Sequence, residues 1–165
     1  MKIALLVIDM QKAFYVGETE LSMQKASDYI NFALDLFREN NKKVIWIQDE
    51  DKEDGNEQGT AGFEVIDLLK PLPEEKRIIK HYGNSFNKTD LLKYLQQEQI
   101  DTLIITGYCA EYCVLSTYRG SLDYDLMPII LRGSLASDKP ENIHFVENIS
   151  EVITAGVLQK IIKEL

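Results

Sequence analysis

Short unbroken apolar runs alternate with stretches of helical period along the whole chain. "KIALLVID" (Lys2 to Asp9) carries no polar residue between its ends, the pattern of a strand covered on both faces. Ala26, Tyr29, Ile30, Ala33, Leu34 and Phe37 then recur at helical spacing, and "ENNKK" closes that helix. "KVIWIQ" (Lys43 to Gln48) reads as a second strand, with Trp46 as a core residue. The following "DEDKEDGNEQGTAG" is too charged and Gly-rich to pack and predicts a surface loop. "FEVIDLL" predicts a short helix and "RIIKHY" (Arg77 to Tyr82) a third strand. "TDLLKYLQQEQ" opens on a Thr or Asp cap and places Leu91, Leu92 and Leu95 on one face. "DTLIITG" and "DLMPIILR" are strands four and five, with Pro128 implying a late start or an edge position for the latter. "ENIHFVENI" predicts a helix and "SEVIT" a short last strand. A closing helix carries Val157, Leu158, Ile161, Ile162 and Leu165 as a stripe.

This βαβα alternation predicts a three-layer α/β/α, Rossmann-like fold: a mainly parallel six-stranded sheet with helices on both faces. With no linker, repeat or low-complexity segment, residues 1–165 are expected to form one domain. Ligands of such sheets bind outside the carboxyl ends of the strands, where strand order reverses. The first strand ends at Asp9, the third at Lys80, and the fourth runs into "GYCAEYC". An acid, a base and a thiol are thereby aimed at one edge of the sheet.

Charge narrows the partners. A net charge of -9 excludes the basic face that nucleic acid requires. No apolar run approaches the roughly eighteen residues of a membrane span, and the opening segment predicts no export signal. Two cysteines without an export signal suit a reducing, cytoplasmic setting without disulfides.

Those two thiols, Cys109 and Cys113, could be a metal clip, a redox pair, inert core residues, or a nucleophile with a bystander. Zinc wants four donors from two clusters; here Cys-x3-Cys has no second cluster, and His81 and His144 lie far apart. The acidic loop 49–57 lacks the ligand spacing of a calcium loop. A catalytic dithiol favours Cys-x-x-Cys, so the wider spacing is awkward for a redox pair. Inert packing suits Cys109 better than Cys113, which a turn at Gly107 delivers to a helix start. A helix N-terminus stabilises a thiolate by only about 0.3–1 kcal/mol, so a lysine ammonium must supply the larger part of any shift. A carboxylate could accept the thiol proton. Asp9 and Lys80 are residues of those types, although each alone would pass for a solvated strand-end charge.

The segments "LLVIDMQKAF", "QDEDKEDGNEQGTAGFEV", "IIKHYGNSFNKTDLLKYL" and "DTLIITGYCAEYCVLSTYRGSLDYD" together resemble the isochorismatase-like superfamily of cysteine hydrolases. The resemblance covers nearly the whole chain. It implies Cys113 as nucleophile, Asp9 as general base and Lys80 as the residue supporting both. It also implies a cis peptide between Tyr108 and Cys109, with the backbone N–H groups of Cys109 and Cys113 forming an oxyanion hole. Phe14 matches a pocket wall; Tyr82, Tyr108, Tyr112 and Tyr118 are further candidates, with half-buried packing as the plainer reading. The substrate is then a small amide or related carbonyl compound. The alternatives are a vinyl ether as in isochorismatases, a scaffold kept for binding without turnover, and a redox role for the two thiols. Homo-oligomers, dimers or tetramers, are usual in the family. Its metal-binding members carry Asp-x-His and a further His after strand two, where this chain reads Gln48, Asp49, Glu50 and Asp51; no metal or cofactor is expected. Ala13, Ala110 and Gly133 also depart from common family residues.

Overall fold

The structure, a computed structural model, describes residues 1–165. Six parallel strands, β1 (Ile3–Ile8), β2 (Lys43–Asp49), β3 (Lys76–Lys80), β4 (Thr102–Tyr108), β5 (Met127–Ala136) and β6 (Val152–Ile153), form one sheet in the order β3-β2-β1-β4-β5-β6. The order reverses between β1 and β4. That is where a crevice opens at the carboxyl ends.

Alternation within β1 sorts its side chains between two cores. Ile3, Leu5 and Val7 join Met23, Ile30, Leu34 and Phe37 of α1 (Glu18–Glu39) and Leu158 and Ile162 of α5 (Ala155–Glu164). Ala4, Leu6 and Ile8 face Leu91 and Leu95 of α2 (Leu91–Glu98), Tyr118 of α3 (Leu115–Leu122) and Val146 of α4 (Pro140–Asn148). Both faces of the strand are apolar because both are covered. The three-layer fold expected from the pattern is the fold observed.

The departures are local. "FEVIDLL" forms no helix: a single 3-10 turn at Ala61–Phe63 gives way to extended chain, and Val65 pairs antiparallel with Gln11. Ile66 and Leu69 still enter the core, so the apolar signal was real but its period was too short to choose helix. β5 begins at Met127, after the predicted start, and is not an edge strand. Its neighbour β6 pairs only with Ile130 and Leu131, which leaves Pro128 free of a ladder donor on that side. Tyr29, Val157 and Leu165 are largely exposed rather than core, and Leu92 is only partly buried.

Candidate active site

Register assembles the site. Asp49, last residue of β2, pairs with Lys80, last residue of β3, so their side chains leave the sheet together. Ile8 pairs with Ile47 on one side and Gly107 on the other, which puts Asp9 between them in the crevice. Gly107 has φ +115°, and a Cβ there would lie 2.1 Å from the Ile8 carbonyl oxygen. Only glycine lets β1 and β4 meet this closely below the site.

Lys80 is completely buried on the face of β3 that carries Ile78, at an edge where Arg77 is exposed. Its Nζ lies 2.8 Å from Asp9 Oδ2, 2.9 Å from Asp49 Oδ1 and 3.4 Å from Cys113 Sγ. A buried ammonium needs such partners. Burial alone would lower the Lys80 pKa, but the charges of Asp9 and Asp49 raise it above the ordinary lysine value. Burial raises the Asp9 carboxyl to about 6, against the pull of Lys80. Asp9 Oδ1 is buried without a hydrogen-bond partner, so one carboxylate oxygen is held by Lys80 and the other is free to take a proton.

The thiol corrects one expectation. Cys113 does not open a regular helix; it sits inside a π-helical turn, Ala110–Val114, that runs on into α3. Burial and the Asp9 charge push its thiol up to about 12, outweighing Lys80. At rest it is a neutral thiol beside a base, not a preformed thiolate. The Tyr108–Cys109 peptide is cis, and the Cys109 N–H donates to no acceptor within the protein.

Cys109 has different company. Its buried thiol donates to Glu111 Oε2 at 3.1 Å, while Ser137 and Asn142 donate to Glu111 Oε1 at 3.0 and 2.6 Å. Burial and Glu111 push the Cys109 thiol up to about 12. Burial alone would raise Glu111, but the hydrogen bonds from Asn142 and Cys109 hold it below its ordinary value.

Around Cys113 opens a cleft of about 300 Å³ lined by Phe14, Tyr82, Tyr108 and Tyr112 among others. Four of the five candidate wall residues therefore fall there, with the Phe14 and Tyr108 rings 5.2 Å apart. Tyr118 does not: it is buried in the core, where its hydroxyl accepts the Glu151 N–H.

Two residues escaped the sequence reading. Asp49 was grouped with the charged loop, yet it is Lys80's second carboxylate. Gln11 is fully buried and clamps the end of β2: its side-chain amide donates to the Asp49 and Phe63 carbonyls and accepts the Asp49 N–H at 2.7 Å. Its place two residues after Asp9 was the available signal. The loop itself lies at the cleft as expected, but its Asn56 is buried, donating to Asp49 and accepting from the Asp51 N–H.

A metal fits poorly. After β2, Asp49 is spent on Lys80 and Asn56, and Glu50 accepts Gln58, with no histidine to replace them. Cys109, Glu111 and Asp138 could bring three donor atoms within 4.8 Å, but the first two already bond each other.

The comparisons give the family. The Isochorismatase domain model matches residues 3–155, so the chain belongs to the isochorismatase family of hydrolases. The isochorismatase family protein YrdC of Bacillus subtilis is 35% identical over 129 residues, 75% of this chain and 69% of its own length. An isochorismatase-like hydrolase from Alkaliphilus metalliredigens superposes with TM-score 0.87 at 28% identity, over 96% of this chain and 95% of that one. N-carbamoylsarcosine amidase from Thermoplasma acidophilum does so with TM-score 0.82 at 25% identity, over 94% and 97%. No helix is long and apolar enough to cross a membrane.

Proposed function

We propose that the protein hydrolyses a small amide through a covalent acyl-enzyme on Cys113. The observation that carries this reading is the buried Lys80 ammonium, 2.8 Å from Asp9 and 3.4 Å from the Cys113 sulfur, at the floor of an open cleft. The likeness to an amidase fold supports the amide.

The chemistry follows from the proton inventory. Asp9, ionised above pH 6, takes the Cys113 proton as the sulfur attacks the carbonyl carbon. Lys80 favours the thiolate as it forms. Backbone N–H groups of Cys109 and Cys113 hold the oxyanion, a role for which the free Cys109 donor is suited. Asp9 returns its proton to the departing nitrogen. Water, deprotonated by Asp9, then attacks the thioester carbon; the C–S bond breaks, the acid departs, and Asp9 returns the proton to the Cys113 sulfur.

The test is ammonia release from a panel of small amides, run with and without a chelator. Cys113→Ala should abolish turnover while the protein stays folded, and Cys109→Ala should keep most of it, because only its backbone is used. Chelation should leave the rate unchanged. Equal losses in the two folded variants would sink this division of labour, and activity lost on chelation and restored by a metal would sink the metal-free chemistry.

A further inference from the structure

The charges around the cleft specify more than an amide. Four carboxylates line it, those of Asp9, Asp49, Asp51 and Asp54, and no lysine or arginine does. The one ammonium beneath it, Lys80, is already held by two of the four. His81, also in the lining, meets Glu50 instead: its Nδ1 lies 3.0 Å from the Glu50 carbonyl oxygen and its Nε2 3.7 Å from the carboxylate. Lys88 sits against Tyr82, bonding its hydroxyl at 3.0 Å, and does not line the cleft. An anionic substrate would find no free lysine or arginine here.

The acids do not stand alone as evidence. Asp9, 1% exposed, lines the floor of the cleft beside Cys113. Aromatic side chains, Phe14, Tyr82, Tyr108 and Tyr112, supply the rest of the wall. Carboxylates interleaved with aromatic faces attract organic cations, through charge and through the ring quadrupole. At about 300 Å³ the space admits only a small molecule.

We infer that the cleft selects a small amide carrying a positively charged amine and rejects amides that carry a carboxylate. This rests on the amidase reading for the identity of the reacting group, but the charge selection itself does not.

The two can be separated by alkylating Cys113 in Cys109→Ala protein, near neutral pH, with three reagents: bromoethylammonium, neutral iodoacetamide and anionic iodoacetate. Each rate is divided by that of the same reagent with a small free thiol. The expected order is cation, neutral, anion, with about ten-fold between the ends at low salt and less at high salt. Asp51→Asn/Asp54→Asn should narrow the spread. Among substrates, glycinamide should have a higher kcat/KM than acetamide, and acetamide than succinamate. Iodoacetate reacting, after normalisation, as fast as the cation would overturn the inference, as would a spread unchanged in the double variant. A cation preference with no amide hydrolysed would support the charge selection and overturn the amidase reading instead.

Discussion

Lys80 is pinned between two carboxylates, and the two affect the site in opposite senses. The Lys80 charge lowers the Asp9 pKa, whereas the Asp49 charge raises it. The acid limb of kcat/KM, expected near pH 6, should therefore move up in Lys80→Met and down in Asp49→Asn. Because the groups titrate together, the limb belongs to the cluster rather than to Asp9 alone. A pH–rate profile checks this, and limbs moving in the same direction would contradict it. The positions of Asp9 and Lys80 at the carboxyl edge of the sheet were legible because each follows or closes a recognisable apolar run, whereas Cys113, in the helical turn beyond β4, was singled out by the turn and the family resemblance. Asp49 was not, since it is flanked by loop acids and differs from them only through its pairing with Lys80 across β2 and β3.

At the scale of elements, the end of β2 is secured by one side chain. Gln11 makes three hydrogen bonds there, two of them to the backbone of Asp49. Gln11→Leu keeps the bulk but strands buried backbone groups, which should cost about 1–3 kcal/mol. Urea unfolding should show a lower midpoint with an unchanged slope, and kcat/KM should fall because Asp49 loses its anchor. A stability loss within about 0.5 kcal/mol, as at ordinary surface sites, would show the clamp to be incidental. The strands were readable from continuous apolar runs, and α1 from its period. The segment from Phe63 to Leu69 was misread because seven residues with buried Phe63, Ile66 and Leu69 satisfy a helical spacing, while the chain runs from a 3-10 turn through a single bridge residue, Val65, into a second turn. The π-helical form of the turn holding Cys113 had no sequence signal at all, since it differs from an α-helical start only in its backbone hydrogen bonding.

For the molecule as a whole, the site is a liability held in check by one cation. Removing it in Lys80→Met leaves the buried Asp9 and the half-buried Asp49 with no counter-charge, and breaking a buried pair typically costs about 3–5 kcal/mol. The sign of the pH dependence follows from Asp9. Its folded pKa already lies above the unfolded 3.8, and without Lys80 it rises further. A raised carboxyl favours the folded state below its unfolded pKa, and that contribution is lost as pH rises through the folded value. The variant's Tm deficit should thus be small near pH 5 and large near pH 8. A deficit independent of pH would mean that Lys80 matters for packing alone. The net charge of -9 was legible from composition alone. Its concentration at the cleft was beyond sequence reading, because Asp49, Asp51 and Asp54 line the site only once β2 and its loop are in place.

The most direct test of Asp9 as the base for Cys113 needs no substrate. It is the pH dependence of iodoacetamide alkylation at Cys113 in Cys109→Ala protein. With Asp9 accepting the proton, the rate should be half-maximal near pH 6 and level above it. Asp9→Asn should remove that limb and leave only a rise at alkaline pH. A single rise near the ordinary thiol value of about 8.5, identical with and without Asp9, would contradict the triad.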